Sequence, residues 1–360
     1  MAVRTAQPPT LADVATHIGV SRTTVSNAYN RPDQLSPALR ERVLAAALEL
    51  GYTGPDPMAR SLRRKRAGSI GFVFDAQLRY MFSDPAAVLF LSGVAAGCEE
   101  MGTGLSLVPQ LPDGGAELVR SALVDGYVMF CTPEEDERLD AVRARGLPYV
   151  LVDFSPYAEG PRVNIDDRGG ARLVAQHLID LGHRRLGLVV PYKDDETGAA
   201  TAREAEAEAD PTVASDERRW RCFIRYERLA GWREPLDAAG VDWAAVPLGS
   251  APGGGVESGY QAAAQLLDRA ERPTAIICLS DVMAFGVMRA AAERGIRIPH
   301  DLSVVGYDDV PEAATAGLTT VYQDHAAKGE HAVRLLTEGG DDVLLPTNLI
   351  VRASSGPVPS

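Results

Sequence analysis

The motifs of the common metal-binding and enzyme classes are missing from this sequence. Its four cysteines form no CxxC or CxxH pair, so neither a zinc site nor a disulfide framework is indicated. There is no GxGxxG or GxxxxGK[ST] phosphate loop, no nucleophile elbow and no HExxH helix. His177 and His183 are six residues apart, as are His325 and His331, which is not the spacing that puts two imidazoles on one helix face. We therefore predict no metal, no cofactor and no catalytic residues.

Long apolar runs are also missing. No stretch of about 18 apolar residues occurs, and the first residues, MAVRTAQPPT, lack the apolar core of a signal peptide. The 360 residues are 46% hydrophobic and 24% charged, which is ordinary for a chain of more than one globular domain. We expect a cytoplasmic, nucleoid-associated protein with no membrane partner.

Positive charge is scarce overall but concentrated at one end. The net charge is −13, yet residues 1–66 carry ten Lys and Arg against five Asp and Glu. The remaining residues carry 26 basic against 44 acidic side chains. A small basic region on a large acidic body is typical of phosphate-backbone binding by one domain.

Residues 10–30, TLADVATHIGVSRTTVSNAYN, have the pattern of two helices joined by a sharp turn. Thr10 and Asp13 form a capping-box pattern at the start of the first helix. Gly19 permits the positive φ of a tight turn, and Ser21 is a suitable N-cap for the second helix. The pattern predicts a helix-turn-helix.

Hydrogen-bonding side chains lie on the outer face of that second helix, near its start. They are Arg22, Thr23, Thr24, Ser26 and Asn27. Short or bidentate side chains at this end of a helix are suited to base edges in the major groove. An ordinary αα-hairpin fits the same residues, and this stretch alone does not separate the two.

A third helix and a basic segment follow. Ser36 and Pro37 would begin the helix and Gly51 would end it. Its predicted apolar stripe consists of Leu39, Val43, Leu44, Ala47 and Leu48. We place a DNA-binding headpiece at 1–55 and a hinge helix or linker, rich in Arg and Lys, at 56–67. A solvated linker is the alternative, but the adjacent headpiece favours a segment that folds on DNA.

From Ser69 onward, strand and helix patterns alternate. Short buried strands are predicted at SIGFVF, LSLV, YVMF, YVLVD, RLGLVVP, TAIICLS, DLSVVGYDD and LTTVYQD. Repeated βα units imply parallel sheets covered on both faces, with ligands at the carboxyl ends of the strands. We predict two sheets with one crevice between them. Residues 192–220 interrupt the pattern without an apolar stripe, and we expect an exposed, partly helical insertion of unassigned function.

Polar side chains follow several of these strands. They are Asp153, Asp281, Asp308, Asp309, Gln323 and Asp324, and Arg228 lies in a helical stretch. If they converge on the crevice, they offer donors and acceptors to a small polyhydroxylated ligand. Aspartates at strand ends also serve as helix N-caps, so Asp281 has an alternative role. Tyr80 and Phe82 follow the first strand and would either stack on a sugar ring or simply pack.

Eight segments occur together in one order: TLADVATHIGVSRTTVSNAYN, SPALRERVLAAALELGY, ARSLRR, IGFVF, RLAGW, SDVMAFG, SVVGYDD and LTTVYQD. With these motifs the chain resembles the LacI-type (lactose/galactose repressor) bacterial transcriptional regulators over almost its whole length. The resemblance implies an all-α helix-turn-helix headpiece and a two-lobed, periplasmic-binding-protein-like α/β core. It also implies three crossings between the lobes. The N-terminal subdomain would comprise 68–163 and 323–340, and the C-terminal subdomain 164–322 and 341–355.

The resemblance implies roles for individual residues. By position, Arg22, Thr23 and Asn27 correspond to base contacts, and Leu62 to a hinge-helix leucine that enters the minor groove. Implied phosphate contacts are Thr10, Ser21, Thr24, Ser26 and Asn30. Implied effector-binding residues are Arg228, Asp281 and Asp308, with Asp153, Gln323, Tyr80 and Phe82 as further candidates.

The sequence departs from the family pattern in three places. The segment Gly54-Pro55-Asp56-Pro57 is one residue longer than the usual Pro-Asn, which leaves the start of the hinge open. The 192–220 insertion precedes Arg228 and is a candidate cover for the effector crevice. Asp281 stands where Asn is also common, so the family's pattern of effector hydrogen bonds does not transfer. The C-terminal ASSGPVPS has no heptad repeat to indicate a tetramer.

These observations predict a repressor that is not an enzyme. It would bind an inverted-repeat operator in double-stranded DNA as a homodimer and respond to a small effector, a sugar or a related polyol or nucleoside. Action as inducer or as corepressor stays open. One rival is a sugar-binding protein, which should carry a signal peptide and no basic headpiece. Another is a sugar-metabolising enzyme with an accessory helical head, but the sequence offers only isolated carboxylates.

Overall fold

The computed structural model describes residues 9–54, 66–111, 115–133, 136–192, 201–209 and 223–359. The chain divides into two compact units, residues 1–68 and residues 69–360. Leu62 and most of the expected hinge at 56–67 lie outside the described residues. Within the described ranges, no helix has the length and apolar character needed to cross a bilayer.

The first unit contains the helix-turn-helix. Its helices are α1 (Leu11–Ile18), α2 (Arg22–Asn30) and α3 (Pro37–Glu49). The carboxylate of Asp13 accepts hydrogen bonds from the backbone N–H of Thr10 at 2.7 Å and from its hydroxyl at 2.8 Å. The chain turns at Gly19, whose φ is +68°. Ser21 Oγ then accepts from the backbone N–H of Thr24 at 3.0 Å, which begins α2 as the sequence predicts.

The core of this unit is small. Its buried side chains are Val14, Ala15, Val25, Ala28, Val43, Ala46 and Ala47. The apolar stripe predicted for α3 is partly wrong, because Leu48 is 83% exposed. Val43, Ala46, Ala47 and Leu50 follow the i, i+3, i+4, i+7 spacing that faces α1 and α2, and Leu48 falls outside that face.

The second unit alternates strands and helices. Its strands are β1 (Ser69–Phe74), β2 (Gly104–Val108), β3 (Tyr127–Phe130), β4 (Tyr149–Val152), β5 (Arg162–Ile165), β6 (Leu186–Tyr192), β7 (Leu248–Pro252), β8 (Ala275–Cys278), β9 (Ser303–Val305), β10 (Thr320–Tyr322), β11 (Val343–Leu345) and β12 (Asn348–Ile350). Its helices are α4 (Pro85–Glu100), α5 (Ala116–Ser121), α6 (Glu137–Arg145), α7 (Asp167–Asp180), α8 (Ala202–Ala209), α9 (Phe223–Ala238), α10 (Val256–Leu267), α11 (Asp281–Glu293), α12 (Pro311–Ala316) and α13 (His325–Glu338).

Two parallel sheets form the two lobes. The N-terminal lobe has the strand order β11-β5-β4-β3-β1-β2, and the C-terminal lobe has the order β7-β6-β8-β9, with β10 and β12 paired antiparallel beside it. Each sheet has a core on both faces, since separate clusters of buried side chains lie on either side of it. The predicted architecture of two doubly wound α/β lobes is confirmed.

The chain passes three times between the lobes. It leaves the N-terminal lobe after β5, returns with α13, which packs on α4, and leaves again after β11. The expected last boundary at 340 is wrong, because Val343 to Leu345 pair in parallel with Val163 to Ile165 of β5. Strands of three residues flanked by exposed positions carry too little apolar pattern to be recognised from sequence.

The insertion is helical where it is described. In α8, Ala202 and Ala205 are fully buried in the core of the C-terminal lobe. Glu206 Oε2 accepts a hydrogen bond from Trp243 Nε1 at 2.7 Å. The expectation of an exposed insertion without an apolar stripe is therefore wrong for this helix. Two alanines spaced three residues apart are enough to pack it on the lobe, because the backbone around Val246 comes close.

The helices α4 and α13 cross at very short range. A Cβ added to Gly93 would lie 2.0 Å from the carbonyl oxygen of Ala326, and one added to Gly329 would lie 2.5 Å from that of Phe90. Only glycine permits this approach, and the crossing fixes the position of the N-terminal end of α13.

We expect Gly93→Ala to lower the free energy of unfolding by about 1–3 kcal/mol, because the added methyl must push two helix backbones apart. Thermal unfolding followed by circular dichroism measures the effect. Gly254→Ala is the matched control, since its added methyl meets nothing within 4 Å. Equal melting temperatures for the two variants would contradict the close crossing.

Candidate DNA-binding face and effector crevice

The N-terminal half of α2 presents polar side chains outward. The exposed residues are Ser21, Arg22 and Thr23. The half-buried residues are Thr24, Ser26, Asn27, Tyr29 and Asn30. Thr10 is exposed at the start of α1. The positive end of the α2 dipole and the free backbone N–H groups of its first turn favour a phosphate at this end.

Two asparagines of α2 are held by neighbours. Asn27 Nδ2 donates to Gln34 Oε1 at 3.2 Å, and Asn30 Nδ2 donates to the carbonyl oxygen of Ser26 at 3.0 Å. Within the described part of the chain, no hydrogen bond or ion pair engages the guanidinium of Arg22. Arg22 is therefore the residue of this face best able to reach a base edge, and the assigned DNA contacts stay predictions.

The carboxyl ends of the two sheets meet at a crevice. The non-glycine residues with positive φ in the described chain all follow strand ends there: Cys131 (49°), Asp153 (61°), Asp308 (124°) and Asp309 (52°). Such conformations are costly for side chains other than glycine and concentrate at functional sites. Asp153 of the N-terminal lobe and Asp308 of the C-terminal lobe take part in one polar network, whereas Asp309 pairs with Arg352 at 2.7 Å.

Arg228 of α9 is the most connected residue of the crevice. Its Nε donates to Asp167 Oδ1 at 2.8 Å, and its Nη1 donates to the carbonyl oxygen of Leu279 at 2.6 Å. Nη1 also lies 3.6 Å from Asp308 Oδ1. The guanidinium carbon is 3.6 Å from the centre of the Tyr307 ring, which supplies a cation–π contact.

The network continues into the N-terminal lobe. Gln323 Nε2 donates to Asp308 Oδ1 at 2.7 Å, and Gln323 Oε1 accepts from Lys328 Nζ at 3.2 Å. Lys328 Nζ also donates to Asp153 Oδ2 at 2.7 Å. One chain of buried polar contacts thus runs from the end of β4 to the helices of the C-terminal lobe.

Burial perturbs the acidity of these groups. It raises the pKa of Asp308 well above its ordinary value, against the effect of Arg228. Burial raises the pKa of Asp167 to about 6, again opposed by Arg228. Burial disfavours the charge on Arg228, but Asp167 and Asp308 outweigh it and raise its pKa. Burial also lowers the pKa of His325 well below its ordinary value, so the imidazole is neutral.

Asp281 lies beside the network with its oxygens turned into the protein. Oδ2 accepts from the backbone N–H of Val310 at 3.0 Å, and Oδ1 accepts from Thr320 Oγ1 at 2.5 Å. The helix N-cap is Ser280, which accepts from the N–H of Met283 at 3.3 Å. The contacts of Asp281 tie α11 to β10 and to the start of α12, and its predicted role as an effector ligand has no support in this geometry.

Tyr80 and Phe82 lie in a short 3-10 helix, Leu78–Phe82, at the edge of the crevice. Tyr80 is 39% exposed and Phe82 is 62% exposed. Burial raises the pKa of the Tyr80 phenol well above its ordinary value, and the charges of Asp84 and Asp308 raise it further. Tyr80 is thus positioned as one wall of the crevice, whereas Phe82 is largely in solvent.

The structure adds Asp167, Lys328, His325 and Tyr307 to the site, and the sequence analysis missed all of them. Asp167 follows β5, so its strand-end position was a usable signal, but β5 has the sequence RVNI, in which Arg162 and Asn164 interrupt the apolar residues, and it was not recognised. Lys328 and His325 lie on α13, which enters the crevice only because the chain crosses back between the lobes. Within the described ranges, no His, Cys, Asp and Glu cluster could hold a metal ion.

Two family profiles match the chain. "Bacterial regulatory proteins, lacI family" matches residues 10–54, and "Periplasmic binding protein-like domain" matches residues 175–355. The first covers the helix-turn-helix unit, and the second covers the C-terminal lobe, α13 and β11.

Individual relatives match nearly the whole chain. An HTH-type transcriptional regulator of Mycobacterium tuberculosis is 42% identical over 97% of this chain and 97% of that protein. A crystal structure of the lac repressor dimer bound to operator and the anti-inducer ONPF matches with a TM-score of 0.75 at 26% identity, over 97% of this chain and 100% of that chain. A complex of the transcriptional regulator CelR with cellobiose matches with a TM-score of 0.65 at 29% identity, over 96% and 99%. The rival enzyme and binding-protein interpretations find no support among these relatives, and the chain belongs to the LacI family of DNA-binding transcriptional regulators.

Proposed function

We propose that this regulator is a repressor that binds an inverted-repeat operator as a homodimer and is controlled by a small polar ligand, a sugar or a related polyol, in the crevice between its lobes. The observation that carries the proposal is the buried polar network from Asp153 to Arg228. It joins donors and acceptors from both lobes in one chain of contacts, and a polyhydroxylated ligand requires both kinds of group.

The similar proteins support both halves of the proposal. The lac repressor structure contains a dimer on operator DNA, and α2 of this chain carries Arg22, Thr23 and Asn27 at the positions expected to read bases. The CelR structure contains cellobiose, a neutral sugar. An aromatic wall at Tyr80 next to carboxylates and an arginine is consistent with a ligand of that kind.

Control requires the ligand to favour one arrangement of the lobes over another. The network spans both lobes. A ligand that bonds to Arg228 on one side and to Asp153 on the other therefore changes the relative stability of the two arrangements of the lobes. A coupling of roughly 1–3 kcal/mol is typical and shifts operator occupancy several-fold or more. Induction and corepression would use the same crevice, but the ligand would weaken operator binding in the first case and strengthen it in the second.

Arg22→Ala should reduce the preference for the operator over scrambled DNA by about 1–3 kcal/mol, because a base-reading arginine is lost, while salt-dependent non-specific binding changes little. The operator is first obtained by selection from random duplexes, and both DNAs are titrated in gel shifts. Arg42→Ala on α3 removes the same charge from the same unit and is the control. Unchanged preference in Arg22→Ala would remove this residue from sequence readout.

Leu62→Ala should weaken operator binding at least tenfold and leave ligand binding nearly intact, since a wedge in the minor groove is lost and the crevice is untouched. Gel shifts measure the first quantity and calorimetry the second. Leu173→Ala, a partly exposed leucine on α7, is the matched truncation. Equal operator affinity for the two variants would refute the hinge role of Leu62.

Arg228→Lys should keep the positive charge but lose the Asp167 contact and the stacking on Tyr307, so ligand affinity should fall at least tenfold. Ligands are found by thermal-shift screening of sugars, polyols and nucleosides, and affinities are then measured by calorimetry. Arg233→Lys changes a half-exposed arginine of the same helix and should retain the wild-type affinity. Wild-type affinity in Arg228→Lys would place the ligand elsewhere.

A further inference from the structure

The buried cations that face the crevice are already paired. Arg228 contacts Asp167 and Asp308, and Lys328 contacts Asp153, so their charges are balanced by carboxylates of the same chain. The side chains of all five residues are at most 7% exposed. An anion entering the crevice would have to take a cation from one of these pairs and leave a carboxylate buried without a partner, which is unfavourable.

Carboxylates are in excess at this place. Asp84 is the N-cap of α4 in the N-terminal lobe, and Ala86, two residues later, packs against the apolar core of the C-terminal lobe. Burial raises the pKa of Asp308 and Arg228 lowers it, and the negative charges of Asp281 and Asp84 raise it further. The field of the crevice therefore opposes a ligand that carries a negative charge.

The unpaired buried polar atoms next to Lys328 are acceptors. Asp153 Oδ1 and His325 Nε2 have no hydrogen-bond partner among the described residues, although both side chains are more than nine-tenths buried. Because burial lowers the pKa of His325 and keeps the imidazole neutral, one of its two ring nitrogens is an acceptor. A molecule that contacts Asp153 Oδ1 and His325 must bring O–H or N–H donors.

We infer that the crevice selects uncharged, hydroxyl-rich molecules and rejects anionic ones such as sugar phosphates and sugar acids, and that Asp167 and Asp84 set this selectivity. The inference rests on the proposed function, which makes the crevice the effector site. Arg228 alone would suit a phosphate or a carboxylate, because its planar fork binds both. Asp167 occupies one edge of that fork, and Asp84 adds negative charge from the opposite lobe.

Matched ligand pairs test the selectivity of the full-length protein. The pairs are glucose with glucose 6-phosphate, ribose with ribose 5-phosphate, and glucose with gluconate, alongside cellobiose. At least one uncharged member should raise the melting temperature, and its anionic counterpart should bind at least tenfold more weakly in calorimetry. An anionic member that binds the wild type as tightly as its uncharged partner would overturn the inference.

Two isosteric variants test the residues. Asp167→Asn keeps an oxygen for Arg228 Nε, and Asp84→Asn keeps an N-cap for α4. Each removes one negative charge, so affinity for the anionic counterpart should rise roughly five- to tenfold, the effect expected for one charge a few ångströms away. The quantity compared is the affinity for the anion relative to that for the uncharged ligand of the same variant, so a general loss of binding does not count as a change of selectivity. Asp180→Asn, at the exposed end of α7, is the control and should alter neither affinity. No gain for anions in either variant would contradict the assignment.

A groove elsewhere on the C-terminal lobe needs a separate control. It is a cavity of about 560 Å³ lined by Arg184, Arg185 and Arg269 together with Asp242 and Glu271. An anion response of the wild type that disappears in Arg269→Ala arises in this groove and leaves the selectivity of the crevice intact. A response that persists in Arg269→Ala and competes with the uncharged ligand counts against the inference.

Operator gel shifts on the same preparations separate the two proposals. Intact operator binding with a preference for anions would overturn the selectivity and leave the regulator function standing. Intact operator binding with no response to any member of the panel would contradict the assignment of an uncharged ligand and effector control together. Absent operator binding with a clear preference for uncharged ligands would contradict the repressor function and support the selectivity of the crevice.

Discussion

The buried guanidinium of Arg228 is the charge on which the crevice depends. A cation in the interior is tolerated only when carboxylates and carbonyl groups surround it, and here Asp167, Asp308 and the carbonyl oxygen of Leu279 do so. These partners come from α7, from the end of β9 and from the turn before α11. The contacts that balance this one charge therefore fix three elements of the C-terminal lobe relative to each other. The ring of Tyr307 stacks on the guanidinium and adds a cation–π contact.

The second half of the site depends on an interaction without charge, the close crossing of α4 and α13. Because Gly93 and Gly329 carry no side chains, the two helix backbones touch, and the N-terminal end of α13 lies at the carboxyl end of β4. That position lets Lys328 reach Asp153 and, through Gln323, the other lobe. Two lobes with separate cores are thereby joined by polar contacts, which can be exchanged for contacts to a ligand at lower cost than an apolar interface.

The DNA-binding unit obeys a different constraint. Its core consists of valines and alanines, so it buries little apolar surface, and its local signals are correspondingly strong: a capped first helix, a glycine turn and a serine N-cap. Local signals of this kind are read from sequence without knowledge of long-range contacts. The helix-turn-helix was therefore located to within a residue, as were β1 and β3.

The sequence by itself determined the helix-turn-helix and the alternation of strands and helices, because these lie in contiguous segments with clear periodicity, and its motifs determined the family and the order of the domains. Strand-end positions and the family resemblance named Arg228, Asp308, Gln323 and Asp153, which the structure brings into one network. It did not determine β5 and β7, which lack a continuous apolar run, the three-residue strands β11 and β12, or the burial of Ala202 and Ala205 in the insertion. Only the tertiary structure decided that Asp281 faces inward and that Asp167, Lys328 and His325 face the crevice. The physical reason is that the partners of a buried polar group are set by residues distant in sequence, about 61 positions away for Arg228 and Asp167 and 175 for Lys328 and Asp153, and no local pattern records them.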